Sequence, residues 1–150
     1  MEIIETKDRH TAAVRLRTPV SELPQVMGKV YGEIAGFMGK KGISFAGPPF
    51  ALYYNMDMND LDVEIGFPTA ERIEGEGRVQ PGTLPGGPAA TAKHVGPYAT
   101  IEDTYNALTA FVKDKGLAAE DGCMYEEYLN SPEDTPPEKL ETNIYFFLKG

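Results

Sequence analysis

The chain lacks several of the residues that mark common functional sites. It has no Trp, one Cys and two His among its 150 residues. A single thiol, Cys123, excludes an internal disulfide. Neither His10 nor His94 stands at metal-ligand spacing from other His, Cys, Asp or Glu residues. The sequence therefore predicts no metal site and no cofactor, with Cys123 inert and His94 a structural residue beside the following turn.

Positive charge and long apolar runs are also scarce. Lys and Arg total 14 against 23 Asp and Glu, which gives a net charge of −9. Such a chain repels polyphosphate, so we expect no nucleic-acid partner. No window reaches the 18 or so apolar residues of a membrane-spanning helix, and the first residues do not read as a signal peptide. We expect a cytoplasmic protein with no membrane partner.

Two segments have the periodicity of amphipathic helices. Apolar residues recur every three or four positions over about 21–40, after Ser21 as a candidate N-cap and before the terminating Lys40, Lys41 and Gly42. A second stripe predicts a helix over about 99–115. Strand patterns, with alternating or β-branched residues, fall at 2–5, 10–17, 50–56, 62–67, 88–95, 124–129 and 142–148.

These elements predict a duplicated fold. Each half reads strand, helix, strand, strand, with repeat one at about 1–70, a Gly- and Pro-rich connection at about 71–87 and repeat two at about 88–150. A displacement of 74 residues aligns Tyr31 with Tyr105, Tyr54 with Tyr128, and Leu52 with Glu126. We therefore predict a single α+β domain with pseudo-two-fold symmetry, antiparallel sheets, two long helices and a central cleft between the halves.

Glu126 is the main candidate for chemistry. In a strand it shares one face with Met124 and Tyr128, and a carboxylate buried there requires a cation, a hydroxyl or water as its partner. The sequence leaves open the alternative that Glu126 faces solvent. Eight Tyr residues suit a cleft that stacks on flat or cationic molecules, although Tyr31 and Tyr105, on helices, fit simple packing.

Several segments in order resemble the gyrase-inhibitory-protein-like (GyrI-like) small-molecule-binding domain, which also forms the effector-binding part of multidrug-responsive transcription activators. They are Lys93-His-Val-Gly-Pro-Tyr98, Tyr125-Glu-Glu-Tyr-Leu-Asn-Ser-Pro132 and Glu141-Thr-Asn-Ile-Tyr145, joined by Gly47-Pro-Pro-Phe-Ala51 and Asp62-Val-Glu-Ile-Gly66. Each segment alone is weak, but together they cover nearly the whole chain.

The resemblance implies that Glu126, in a Glu-x-Tyr motif, is a buried acid at the floor of the cleft. It also implies that Tyr128 and Tyr145 line that cleft with Phe50 and Tyr54. Many relatives have a glutamate where this chain has Asn143, which argues against strong binding of dications. The DNA-binding helix-turn-helix of the activators has no counterpart in these 150 residues, so we expect a standalone domain.

Three alternative functions are implied by the resemblance together with these residues. The first is capture of hydrophobic, planar, often cationic compounds by Phe50, Tyr54, Glu126, Tyr128, Asn143 and Tyr145. The second is hydrolysis of strained cyclopropane rings in alkylating natural products, an activity that some standalone relatives imply. Glu126 would be the general base, and a tyrosine hydroxyl, that of Tyr128 or else of Tyr54 or Tyr145, would hydrogen-bond the oxygen that gains charge. The third is a gyrase-inhibitor-like interaction with an unknown protein partner through the acidic loop 131–141.

Overall fold

The computed structural model describes residues 1–149, apart from the side chains of residues 121 and 122. Eight strands and two helices follow one another along these residues. The strands are β1 (Glu2–Thr6), β2 (Arg9–Thr18), β3 (Phe50–Tyr53), β4 (Leu61–Pro68), β5 (Gln80–Leu84), β6 (Gly87–Val95), β7 (Ala119–Tyr128) and β8 (Glu141–Leu148). The helices are α1 (Leu23–Lys41), after β2, and α2 (Ile101–Asp114), after β6.

All eight strands form one antiparallel sheet in the order β1-β6-β8-β7-β3-β4-β2-β5. The order is symmetric about the β7–β3 pair, since each strand of one half has its counterpart at the same distance from the centre. The predicted α+β fold with pseudo-two-fold symmetry and two long helices is therefore confirmed, with its strands in a single sheet.

The first strands of the two halves are exchanged. β1 begins the chain but pairs with β6, whereas β5 precedes β6 and pairs with β2. The two connections cross where the Gly86 amide donates a 2.7 Å hydrogen bond to Asp8. A Cβ on Gly86 would lie 2.5 Å from the carbonyl carbon of Lys7, so the crossing requires glycine here. The segment 71–87, predicted as a plain connection, thus contains a strand.

Both helices pack on the same face of the sheet, which we call the helix face. α1 lies on β2 and β4, and α2 lies on β6. The main core forms between them and the sheet, with Ile34, Val63, Leu108 and Ile144 fully buried. The central strands β3 and β7 run beneath the space between the two helices, so their residues on the helix face occupy the pseudo-symmetry axis.

The other face, which we call the open face, carries a smaller apolar cluster of Phe50, Leu52, Leu84, Tyr125 and Phe147. Within the described residues, neither helix contributes to this cluster.

The C-terminal end of α1 agrees with the sequence prediction, whereas its N-terminal end does not. α1 terminates at Gly42 with φ 70°, preceded by Lys40 and Lys41, as predicted. Its start differs, because a short 3-10 turn at Val20–Glu22 precedes Leu23, and Ser21 makes no capping bond.

Candidate functional site

Strand β7 places Glu126 on the helix face, at the centre of the sheet. Glu126 is directly opposite Ala51 of β3 and Ile144 of β8. Met124 and Tyr128 share its face, as the strand periodicity predicts. The side chains of Glu126 and its neighbours therefore lie on the pseudo-symmetry axis, beneath the space between α1 and α2.

The Glu126 carboxylate is held by two tyrosine hydroxyls. Tyr128 donates to Oε1 at 2.7 Å, and Tyr105 of α2 donates to Oε2. Only 7% of the residue is exposed. The acid is thus an interior group, and the alternative in which it faces solvent is excluded.

Three more tyrosines surround this pair. Tyr31 of α1 donates to the Phe50 carbonyl at 2.6 Å, Tyr53 lies on β3, and Tyr98 packs edge-on against Tyr128 with ring centroids 6.1 Å apart. Burial raises the pKa of Tyr31, Tyr53, Tyr98 and Tyr128, and the negative charge of Glu126 raises these pKa values further. All of these phenols therefore stay protonated and act as neutral hydrogen-bond donors. We call Glu126 with Tyr31, Tyr53, Tyr98, Tyr105 and Tyr128 the tyrosine cage.

Burial raises the pKa of Glu126 from 4.5 to about 7, while the hydrogen bond from Tyr128 lowers it in part. Among the described residues, no basic side chain contributes to this pKa. Both the neutral and the charged form of Glu126 are therefore populated near neutral pH, and the charged form has no cationic partner among the described residues. Such a group can attract a cation or accept a proton.

The tyrosine rings also control access to Glu126. Tyr31, Tyr105 and Tyr128 are partly exposed, and Tyr98 is 40% exposed, so the rings reach the surface above a carboxylate that does not.

The structure does not bring all of the predicted site residues together. Phe50, Tyr54, Asn143 and Tyr145 lie on the open face, across the sheet from Glu126 and Tyr128. Asn143 and Tyr145 donate to Glu127 at 3.3 and 2.6 Å. Tyr54 donates to Glu64 at 2.7 Å. The expectation that Tyr145 and Tyr54 share a cleft with Tyr128 is therefore not met by the geometry.

The displacement of 74 residues explains part of this outcome. It aligns the helices, because Tyr31 and Tyr105 both face the cage, but it is wrong in the strands, where Leu52 and Tyr54 lie on the open face. A one-residue difference in register moves every side chain of a strand to the other face. Tyr53, rather than Tyr54, shares the helix face with Tyr128.

The predicted site residues omit four members of the tyrosine cage, which are Tyr31, Tyr53, Tyr98 and Tyr105. Tyr31 and Tyr105 carried a usable signal, since they occupy equivalent positions in the two predicted helices and lie on stripes that must face the sheet. Their hydroxyl groups were interpreted as incidental to packing.

His94 lies beside the following turn, as predicted, and Cys123 is a partly buried free thiol. His94 is buried, with Nε2 3.0 Å from the Pro97 carbonyl oxygen and Nδ1 2.7 Å from Thr104 Oγ1. Burial raises the pKa of the Cys123 thiol, which lowers its reactivity. In the part of the chain that is described, no cluster of three His, Cys, Asp or Glu side chains could hold a metal ion. Nor does any helix of residues 1–149 have the length and apolar character needed to cross a bilayer.

The family model of the GyrI-like small-molecule-binding domain matches residues 1–149, so the chain belongs to this family. No curated protein matches the chain.

Solved structures share the fold over 99% of the chain. The C-terminal domain of EcmrR is 21% identical, with a TM-score of 0.85 and 96% of that chain covered. In the EcmrR–DNA complex the match has a TM-score of 0.84, and the present chain spans only 56% of the EcmrR chain. A hydrolase from Listeria innocua is 19% identical, with a TM-score of 0.74 and 91% covered. SAV2435 bound to tetraphenylphosphonium is 10% identical, with a TM-score of 0.66 and 93% covered. At these identities the likeness concerns the fold.

Proposed function

We propose that this domain binds hydrophobic, aromatic, often cationic small molecules at the tyrosine cage. The observation that carries the proposal is Glu126 itself, a buried carboxylate whose two bonded neighbours are neutral hydroxyls. A buried charge without a cationic partner is costly. A hydrophobic cation that entered the cage would supply the missing charge without needing a full hydration shell.

The rings around Glu126 suit the same ligand. Tyrosine faces attract cations and stack on flat apolar surfaces, while the hydroxyls can rotate to bond a ligand atom. Because Tyr31 and Tyr105 come from different helices, a ligand between them would contact both halves of the molecule. The partial exposure of these two rings supports entry between α1 and α2.

The experiment compares a cation with a neutral molecule of similar shape. Tetraphenylphosphonium and triphenylphosphine oxide are titrated into the protein by calorimetry at pH 8. We expect Glu126→Gln to weaken binding of the cation by tenfold or more, since about 1.4 kcal/mol corresponds to a factor of ten. Binding of the neutral compound should change little.

Glu127→Gln is the matched control, because Glu127 is adjacent in the chain and equally buried at 7%, but on the open face. The affinity of the wild type for tetraphenylphosphonium should also fall as the pH drops from 8 to 6, since Glu126 becomes neutral below its pKa of about 7. Equal losses in the two variants, or pH-independent binding of the cation, would contradict the proposed site.

A second candidate function is hydrolysis of a strained cyclopropane ring, favoured by a carboxylate of pKa about 7 bonded to two hydroxyls. Ionised Glu126 would take a proton from water as the water oxygen attacks a ring carbon. The carbon–carbon bond would break, with its electron pair moving into a conjugated carbonyl, and Tyr105 or Tyr128 would donate a hydrogen bond to the oxygen that gains charge. That oxygen would then take up a proton while Glu126 releases its own, so one water is added overall and the carboxylate is restored. The strain of the ring supplies much of the driving force.

Turnover separates the two candidates. The protein is incubated with a cyclopropane-bearing alkylator, and the products are examined by mass spectrometry for addition of one water. Under the hydrolase hypothesis, Glu126→Gln abolishes the adduct and Glu127→Gln retains it. An adduct that forms at the same rate without protein would leave binding as the function.

A further inference from the structure

The open face carries a cavity that is separate from the tyrosine cage. Its volume is about 300 Å³, at the lower end of the range for small-molecule sites. It lies beside the edge strand β5, where β2 and β4 also contribute, so the sheet separates it from Glu126. Its polar lining combines two guanidinium groups with one carboxylate: Arg15, Arg78 and Glu64, beside Tyr54, Ala13 and Gly82.

Each of the two arginines is held in place by a carboxylate that accepts only some of the N–H donors of its guanidinium. Arg15 donates from Nε and Nη2 to the Asp62 carboxylate at 2.9 and 2.8 Å, and its guanidinium lies 3.8 Å from the centre of the Tyr54 ring. Arg78 donates from Nε to Glu33 at 2.8 Å. A guanidinium has five N–H donors, so each arginine retains donors for an oxyanion.

Glu64 adds an acceptor of the opposite charge. Its Oε1 receives the Tyr54 hydroxyl at 2.7 Å. Its Oε2 lies beside Gly82, where a Cβ would approach within 2.6 Å of the oxygen. The absence of a side chain at position 82 therefore allows this oxygen to pack against the backbone of β5 at the cavity. Among the described residues, no hydrogen-bond donor to Oε2 is found, so this oxygen retains its capacity to accept an N–H group.

The same cavity thus offers fixed donors for an anion and a free acceptor for a cation. Ala13 and the ring of Tyr54 add apolar surface. We propose that this cavity is a second small-molecule site, for zwitterions of the amino-acid class with a short apolar side chain. The ligand carboxylate binds Arg15 and Arg78, and its ammonium group binds Glu64. The site does not depend on Glu126 and selects a different class of compound from the cage.

The test uses three probes with one carbon skeleton. L-Leucine carries both charges, 4-methylpentanoate lacks the amino group, and isopentylamine lacks the carboxylate. Each is titrated at millimolar concentration into the ¹⁵N-labelled protein and followed by amide chemical shifts. We expect L-leucine to shift the amides of Arg15, Gln80, Gly82 and Thr83, with the amide of Glu126 unaffected. Each single-charge probe should bind at least about tenfold more weakly, since one charged hydrogen bond is lost.

Two variants probe the cavity by different means. Arg78→Gln removes a donor group at the surface, and Gly82→Ala places a methyl group against Glu64. Both should abolish the shifts caused by L-leucine, while Arg72→Gln, at an exposed arginine outside the cavity, should retain them. The amide spectrum of each variant shows whether it is folded. The proposal is overturned if L-leucine shifts no cavity amide, if a single-charge probe binds as tightly, or if folded Arg78→Gln and Gly82→Ala bind like the wild type.

Discussion

Glu126 and Glu127 are adjacent in β7 and equally buried at 7%, yet they lie on opposite faces of the sheet in different surroundings. Glu126 has two neutral hydroxyl partners in the tyrosine cage. Glu127 accepts hydrogen bonds from Asn143 and Tyr145 and forms an ion pair with Arg9 at 3.4 Å. Among the residues that the structure describes, one carboxylate therefore has its countercharge within the fold, and the other does not.

The comparison separates burial from function. Burial is the same in both cases, so it cannot by itself mark a binding site. The difference lies in whether the chain supplies the opposite charge. Glu127 is best interpreted as a structural acid that joins β2, β7 and β8, whereas Glu126 is the acid to which the proposed function assigns a ligand.

The largest expected effect concerns the pH dependence of stability. Because the pKa of Glu126 is raised from 4.5 to about 7 in the folded state, the fold prefers the protonated acid. The resulting stabilisation is fully present below pH 4.5 and is lost as the pH rises through 7, an overall change of about 3 kcal/mol. Urea unfolding of wild type and Glu126→Gln at pH 4.5, 6 and 8 measures it. Between pH 4.5 and pH 8, the free energy of unfolding of Glu126→Gln should rise relative to that of the wild type by about this amount. A difference that stays constant with pH would contradict the raised pKa.

A smaller effect is expected on the other face. Glu127→Gln at pH 7 removes the charge that pairs with Arg9 and accepts from Tyr145, and should lower the free energy of unfolding by about 2 kcal/mol. Unlike Glu126→Gln, it should not stabilise the protein at any pH. Glu138→Gln, at an exposed acid, serves as the control in the same urea experiment. A stability equal to that of the wild type would show that the Glu127 network contributes nothing.

The smallest effect sharpens the description of the cage. The hydrogen bond from Tyr128 lowers the pKa of Glu126, so Tyr128→Phe should raise that pKa further, by less than one pH unit, for a bond worth about 1 kcal/mol. Carbon NMR of labelled glutamate carboxyl groups follows the titration of Glu126 directly. Tyr145→Phe, across the sheet, should leave the Glu126 midpoint in place. If both variants moved it equally, the faces would not be electrostatically distinct.

The helices and the interior position of Glu126 were predictable because each depends on a local period. The stripes that define α1 and α2 recur every three to four residues, and the alternation along β7 places Met124, Glu126 and Tyr128 on one side. The resemblance to the GyrI-like family then identified the side that faces inward.

The composition of the cage was less predictable because it depends on register between distant strands. Tyr53 and Tyr54 are adjacent, and no local pattern states which one faces the helices. Likewise, β5 contains Pro81 and Gly82, residues that are rare in strands and typical of turns. It forms a strand only at the sheet edge beside β2, a contact that the local sequence does not encode.

The exchange of β1 and β5 has a consequence for how the molecule assembles. The pairing of Glu2 with Thr91 joins β1 to β6, so one of the longest loops of the chain has to close before the sheet is complete. The edge strand beside β6, β8 and β7 is β1, and the edge strand beside β3, β4 and β2 is β5. Each half of the sheet is therefore completed by the strand that precedes the other half along the chain. The two halves are therefore joined by exchanged edge strands, and we expect that cutting the chain between them would leave two fragments that need one another to fold.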